Sequence, residues 1–293
     1  MQIISRPDFK ERTTLRIGGQ GLLELMLTSE NDWENLGPRL EKEGADLLAL
    51  GAGSNLLIAD GVLNRISVRM APEKQIRVLQ VEDAGSALLQ VSAGLSLPRL
   101  LAWMARYDFA GLQSLTGIPG TVGGAVAMNA GSFGQEISQV LEGVCIWTRQ
   151  EGAKWLNPGQ WRAGYRKFSP KIDNLKWYLI LAIQIKVHKA ARIKNEMRKV
   201  LGLKKKAQPI RSWTCGCLFK NPSAQEPAGL LLERCGLKGF TLGGVGLSNL
   251  HANFLINMGQ GQSSEAFELI DLAKQRVREK FGHDLELEVR VVK

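Results

Sequence analysis

Residues 117–131 read GIPGTVGGAVAMNAG, with five glycines (117, 120, 123, 124 and 131), a proline and an asparagine in fifteen positions. A run of this kind gives up side-chain packing and loses more chain entropy on folding, so its bare backbone must serve a purpose. Glycine reaches left-handed conformations and lets a ligand lie against peptide N–H groups. Successive N–H groups in such turns form concave anion sites. The irregular spacing around Pro119, with Gly134 following, predicts a phosphate-cradling loop rather than one tight turn. Asn129 can hydrogen-bond the same ligand or its own turn. A second run, LLALGAGSNLL (47–57), opens like a dinucleotide fingerprint, with Gly51 and Gly53 after a strand. Leu56 stands where that motif needs its third glycine, and Gly61 arrives before a helix can develop, so the motif fails. Two glycine-rich loops so close in sequence suit one long diphosphate ligand held from both sides.

The chain has 293 residues, enough for two modest domains each with its own core. The opening MQIISRPDFKERTT contains no apolar core of signal-peptide length, and the apolar run at 178–185 is broken by Gln184. A cytoplasmic protein without membrane insertion is expected. Cys145, Cys215, Cys217 and Cys235 make no disulfide framework. The Cys215-x-Cys217 pair is tighter than zinc pairs and has no matching second pair, so no metal is expected. Net charge is +10, and residues 189–211 supply +8 of it, nine Lys or Arg against Glu196. Ala190, Ile193, Met197, Val200 and Leu201 fall on one side of a helix there, with most charges opposite. That pattern suits a solvated helix face or a basic rim over a pocket for a phosphorylated ligand. No aromatic residues are interleaved for base stacking, so a nucleic-acid partner is not expected.

Strand-like runs at 46–50, 65–70, 88–93 and 177–188 alternate with helical stretches. Ser96-Leu97-Pro98 reads as an N-cap with proline in the first turn, leading into RLLAWMARY and a stop at Gly111. Later come a helix near 228–235 ended by Gly236, a strand ANFLIN (252–257), and a helix with Phe267, Ile270, Val277 and Phe281 on one face, ended by Gly282. LELEVRVV (285–292) alternates strictly and reads as a strand with Leu285, Leu287, Val289 and Val291 on one face. The fold class is α+β, with a domain boundary near residue 190.

LGAGSNLL, followed some sixty residues on by TGIPGTVGGAVAMNAGSFGQE, resembles the FAD-binding half of the UDP-N-acetylenolpyruvoylglucosamine reductases. The resemblance begins at TTLRIGG (13–19) and continues through GYRKF (164–168), GCLFKNP (216–222), GLKGFTLGGVGLSNLHANFLIN (236–257) and EVRVV (288–292), covering nearly the whole chain in order. It implies a two-subdomain FAD-binding fold of the vanillyl-alcohol-oxidase-like type over 1–190, split near 58, and a C-terminal α+β substrate domain over 191–293. It implies non-covalent FAD, with its pyrophosphate wrapped by Gly117, Ile118, Pro119, Gly120, Thr121, Gly123, Gly124, Ala125, Asn129, Ala130 and Gly131. Gly51, Gly53, Ser54, Asn55 and Leu56 would lie on the other side. The length matches the family's shorter subgroup, and a monomer is expected.

The family's reaction is a hydride relay in which NADPH reduces FAD and the enolpyruvyl ether of UDP-N-acetylglucosamine is then reduced to UDP-N-acetylmuramate for peptidoglycan. Charge develops at C2 and its carboxylate, and C2 must be protonated. Arg166 matches the arginine that neutralises that charge, although Phe168 holds a position usually given to serine, with Ser169 one step later. Glu288 matches an acid or hydrogen-bond partner at the substrate; alone it reads as a charged residue on a half-exposed strand, with Glu286 and Arg290 beside it. Cys217 stands where the family commonly has a serine proton donor, and a thiol, with a pKa of roughly 8.5, is the stronger acid. The resemblance also places Tyr165, Asn221 and a lysine among Lys204–Lys206, here assigned to Lys206, on the UDP-sugar. His251 suits a core histidine as well as a functional one. Two alternatives remain open: another FAD-dependent oxidase or dehydrogenase of the same fold, and a non-catalytic nucleotide-binding protein.

Overall fold

A computed structural model of the chain describes residues 1–41, 44–72, 75–82 and 85–293. The chain divides into two compact units. The first comprises Met1–Ser5, Leu23–Gly51 and Arg65–Gly202, and the second Arg6–Leu22, Ala52–Asn64 and Leu203–Lys293. This partition differs from a single boundary near 190. The strand Leu56–Ile58 runs parallel to Arg290–Val292 near the C-terminus, and Leu15, Ile17 and Leu57 share an apolar core with Leu255, Val277 and Val289. Burial of these early residues, rather than sequence proximity, draws 6–22 and 52–64 into the C-terminal unit.

In the first unit a four-stranded sheet has the order Gln2–Ser5, Leu23–Leu27, Arg65–Met70, Asp46–Ala49, its last three strands parallel. Helices α1 (Glu30–Glu34) and α2 (Leu36–Glu41) belong to the connection between two of these strands. A larger antiparallel sheet is centred on Leu179–Lys189, which pairs with Leu141–Thr148 on one side and Ser86–Ser92 on the other. The sequence alternates along this strand, yet Leu179–Ile183 are all buried, because that end is covered on both faces; alternation resumes only at Gln184. Helix α3 (Leu97–Arg106) begins after Ser96 with Pro98 in its first turn and buries Leu97, Leu100, Leu101 and Met104. Each fully buried leucine there contributes roughly 1.5–3 kcal/mol. The helix ends before the expected stop at Gly111, since Asp108 turns left-handed (φ 53°) and Phe109–Ala110 join the sheet beside His188 and Lys189. Helix α4 is Val122–Ala127, and α5 (Ile193–Ala207) is the basic helix.

The second unit holds a four-stranded sheet in the order Trp213–Cys217, Phe254–Asn257, Val245–Leu247, Thr241–Leu242. Helices α6 (Ala228–Arg234) and α7 (Ser263–Phe281) supply the rest of its core. On α7 the buried stripe is Ala266, Leu269, Ile270, Ala273 and Val277, with Phe267 and Phe281 at its margin, and left-handed Gly282 (φ 72°) ends it as expected. LELEVRVV is a regular strand only over Arg290–Val292. Upstream it bonds a different neighbour, with Lys220 N–H donating to Glu286 O at 2.8 Å and Glu288 N–H to Leu218 O at 2.8 Å. No helix among the described residues is long and apolar enough to cross a membrane.

Candidate active site

In the first unit, the middle of the glycine run is a helix where a loop is expected. Thr121 caps α4 by accepting from Gly124 N–H at 3.2 Å. A Cβ on Gly123 would stand 2.8 Å from Ala93 Cβ, and Gly123 N–H donates to Ala93 O at 3.0 Å. Close packing on the end of a strand therefore demands this glycine. The left-handed glycines are Gly117 (φ 87°) and Gly120 (φ 125°), which concentrates the open backbone in Gly117, Ile118, Pro119, Gly120 and Thr121. Gly51 approaches the same loop, for a Cβ there would lie 2.6 Å from Thr121 Oγ1. The two glycine-rich segments do meet, at Gly51 and Thr121.

The end of the run serves the protein itself. Asn129 is left-handed (φ 40°) and fully buried, and its side chain makes hydrogen bonds to Glu136, Gly164 and Ser138. Ala125 is buried and its carbonyl accepts from Ala130 N–H at 2.7 Å, while Gly131 is crowded by Glu136 Cγ, 2.8 Å from where a Cβ would be. Arg166 sits at the tip of a hairpin formed by Trp161–Gly164 and Lys167–Pro170, in left-handed conformation (φ 56°), with its guanidinium 4.9 Å from the Tyr165 ring. Tyr165 is exposed. Phe168 points into the core, 5.9 Å from the Trp161 ring, so the strand that follows Arg166 is anchored by an apolar contact.

In the second unit, Gly53 (φ 62°) is required by the start of the TTLRIGG segment, since a Cβ would crowd Arg12 O and stand 2.8 Å from Thr13 Cα. Asn55 Nδ2 donates to Glu288 O at 3.0 Å, and Arg290 N–H to Asn55 O at 3.1 Å. Leu56 begins the buried strand beside them. Cys215 and Cys217, two apart, would share a face of a regular strand. The bulge at left-handed Gly216 (φ 80°) breaks that pairing, so Cys215 is fully buried while Cys217 turns partly outward. Burial pushes the Cys215 thiol up to about 12, which leaves it inert. Leu218 N–H donates to Asn253 O at 2.8 Å, and Leu218 O accepts from Glu288 N–H. Asn55, Cys217 and half-buried Glu288 are thereby brought together through main-chain bonds.

Glu286 is exposed, and Lys220 Nζ binds its carboxylate at 2.5 Å. Asn221 is exposed, and its Oδ1 accepts from Ala228 N–H at 3.1 Å, capping α6. Lys206 is exposed, whereas Lys204 is only 3% exposed, and burial pushes its ammonium pKa down to about 8. His251 fills a packed position: a Cβ on Gly229 would lie 2.7 Å from its Cε1, its ring stands 5.0 Å from that of Phe254, and burial, with nearby Lys238, lowers its pKa. Sequence reasoning missed Asn253, which takes Phe219 N–H at 2.9 Å and donates to Phe219 O at 2.8 Å, locking the segment that carries Cys217. An asparagine inside the apolar run HANFLIN was its available signal. Among the described residues no group of three or more His, Cys, Asp or Glu side chains could hold a metal ion.

Neither 51–56 nor 117–131 contains a charged residue. The donors they offer are main-chain N–H groups, the Ser54 and Thr121 hydroxyls and the Asn55 amide. Taken by itself, each segment presents a phosphate with no acidic repulsion.

Residues 25–153 match the family model described as an FAD binding domain, and residues 208–292 match the UDP-N-acetylenolpyruvoylglucosamine reductase, C-terminal domain. A UDP-N-acetylenolpyruvoylglucosamine reductase of Oleidesulfovibrio alaskensis is 41% identical over 99% of this chain and 97% of its own length. One from Fusobacterium nucleatum is 30% identical with both chains fully covered. The crystal structure of the UDP-N-acetylenolpyruvylglucosamine reductase of Thermus caldophilus superposes with a TM-score of 0.81 at 32% identity, covering 100% of each chain. The α+β, FAD-binding architecture expected from the sequence holds. With identity sustained from end to end and both domain models matched in order, the chain belongs to the UDP-N-acetylenolpyruvoylglucosamine reductase family.

Proposed function

We propose that this chain is a cytoplasmic, monomeric flavoenzyme that reduces UDP-N-acetylglucosamine-enolpyruvate to UDP-N-acetylmuramate with NADPH, a step of peptidoglycan precursor synthesis. The full-length identity to reductases of that name carries the reading. The convergence of Asn55, Cys217 and Glu288 supports it. Nucleic acid and membrane are not among its partners in this reading.

Gly51, Ser54, Asn55 and the 117–121 backbone would hold FAD, which, reduced by NADPH, would supply the hydride chemistry needed at C3 of the enolpyruvyl group. Arg166 receives the substrate carboxylate, and its permanent positive charge stabilises the negative charge that builds up at C2 and the carboxylate. The Cys217 Sγ–H bond breaks as its proton passes to C2, and the thiolate left behind regains a proton from water. The partly outward placement of Cys217 leaves that return path open. Glu288, whose N–H donates to Leu218 O and whose carbonyl accepts from the Asn55 amide, hydrogen-bonds the reacting group. Tyr165, Asn221 through its amide NH₂, and Lys206 contact the UDP-sugar.

The test is optical and chemical. The purified protein should be yellow, and NADPH should bleach it without oxygen. Adding the enolpyruvyl sugar should restore the colour with one equivalent of UDP-N-acetylmuramate formed. A colourless protein, or a bleached one that the enolpyruvyl sugar leaves bleached, would defeat the reading.

A further inference from the structure

We infer that Asn129 and Glu136 are positioning residues for Arg166; the inference rests on the role given to Arg166 above. The hairpin bearing Arg166 is a two-stranded sheet of its own. Its second strand is fixed by buried Phe168, which stands opposite Ala163 and whose carbonyl accepts from Tyr178 Oη–H at 3.1 Å. Its tip, with exposed Tyr165 and a left-handed arginine, is tied by a separate device.

Asn129 Nδ2 donates to Gly164 O, the residue before the turn, at 3.0 Å and to Glu136 Oε2 at 2.7 Å, while its Oδ1 accepts from Ser138 N–H at 3.2 Å. With no exposed surface and a left-handed backbone, Asn129 has one orientation available. Glu136 is itself held, capping the short 3₁₀ helix Ile137–Val140. Gly131 completes the arrangement, for the place of its missing Cβ lies 2.8 Å from Glu136 Cγ and 3.5 Å from Arg166 Nη1. The carboxamide is therefore the only side-chain type that meets all three partners: two donors face two oxygens, and an acceptor faces an N–H. An aspartate has the same shape, but its oxygens would face the Glu136 carboxylate and the Gly164 carbonyl. The charge-assisted bond to Glu136 sets the amide, and the amide sets the turn.

An arginine displaced by about 1 Å from its productive position can cost on the order of 10²-fold in rate. The experiment uses the FAD-loaded enzyme and follows two steps separately: bleaching by NADPH, and colour return on mixing with the enolpyruvyl sugar. Asn129→Asp and Glu136→Ala should slow the second step, Glu136→Ala by about 10-fold, and leave the first within about 2-fold. Glu136→Gln, which keeps an acceptor for Asn129, should stay within about 3-fold of the parent in both. The decisive readout is non-additivity: in an Arg166→Ala background, Glu136→Ala should slow the second step no further. A further slowing there, or equal slowing of both steps by Glu136→Ala alone, overturns the inference. A parent-like second step in Glu136→Ala with a slow one in Arg166→Ala overturns it while sparing the role of Arg166. A parent-like second step in Arg166→Ala overturns both. Glu136→Ala touches only a half-buried side chain and keeps the test open if Asn129→Asp does not fold.

Discussion

Lys204→Met should remove a pH dependence of the protein's stability while leaving its basic surface nearly intact. Lys204 lies on the same side of α5 as buried Ile193 and Met197, spaced four and seven residues along, and is 3% exposed. Burial lowers its pKa from an ordinary 10.5 to about 8. At about 1.4 kcal/mol per pKa unit, the ammonium is destabilising by about 3 kcal/mol. Below pH 8 both folded and unfolded chains carry the proton, so the penalty is complete. Between about 8 and 10.5 the folded chain releases the proton while the unfolded chain keeps it, so stability rises with pH. Methionine keeps the length and apolar stem of lysine without the charge. Relative to the variant, the parent should therefore gain on the order of 2 kcal/mol between pH 7 and pH 9.5. Urea unfolding of parent and variant at pH 7 and pH 9.5 measures that change. A stability difference between parent and variant that is equal at the two pH values would refute the reasoning.

Gly123→Val should lower the melting temperature, since a Cβ 2.8 Å from Ala93 Cβ overpacks the end of a strand, a change that typically costs 1–3 kcal/mol; loss of flavin at unchanged stability would show instead that the position faces the cofactor. Cys217→Ser should keep substantial activity and resist thiol alkylation, whereas the parent should be inactivated by iodoacetamide and protected by bound substrate. Lys206→Glu should raise the apparent KM for the UDP-sugar and alter its salt dependence while NADPH bleaching proceeds as before. Asn253→Ala should destabilise the second unit, because both polar groups of Phe219 lose their buried partners at about 1–3 kcal/mol; a melting temperature equal to the parent's would contradict that assignment.

Local signals in the sequence translated well into local structure. The helix start at Ser96–Pro98, the stop at Gly282 and the Phe254–Asn257 part of the strand ANFLIN formed because each depends on a few adjacent residues, although the Ser96 side chain makes no cap bond. The glycine run was legible as something exceptional, but not how its glycines divide. Gly123 answers to Ala93, thirty residues earlier, and Gly131 to Glu136 and the Arg166 turn, contacts that only the tertiary fold creates. Lys204 looked like one member of a charged cluster, because periodicity shows which side a residue takes but not how widely that side is covered. The two units were hidden for the same reason: residues 52–64 join the C-terminal core through a parallel strand pair, and 6–22 through buried Leu15 and Ile17, with no local trace. At Cys217 the sequence named the residue, and the bulge at Gly216 supplies the reason it leaves the core while Cys215 stays.

The central claim is that Cys217 delivers the proton to C2 of the enolpyruvyl substrate. Stopped-flow mixing of NADPH-reduced, oxygen-free Cys217→Ala enzyme with UDP-N-acetylglucosamine-enolpyruvate tests it directly, with the parent as reference. Bleaching by NADPH should match the parent, while colour return should slow by about 10²–10⁴-fold, the usual worth of a positioned acid. Colour return at the parent's rate would contradict the account.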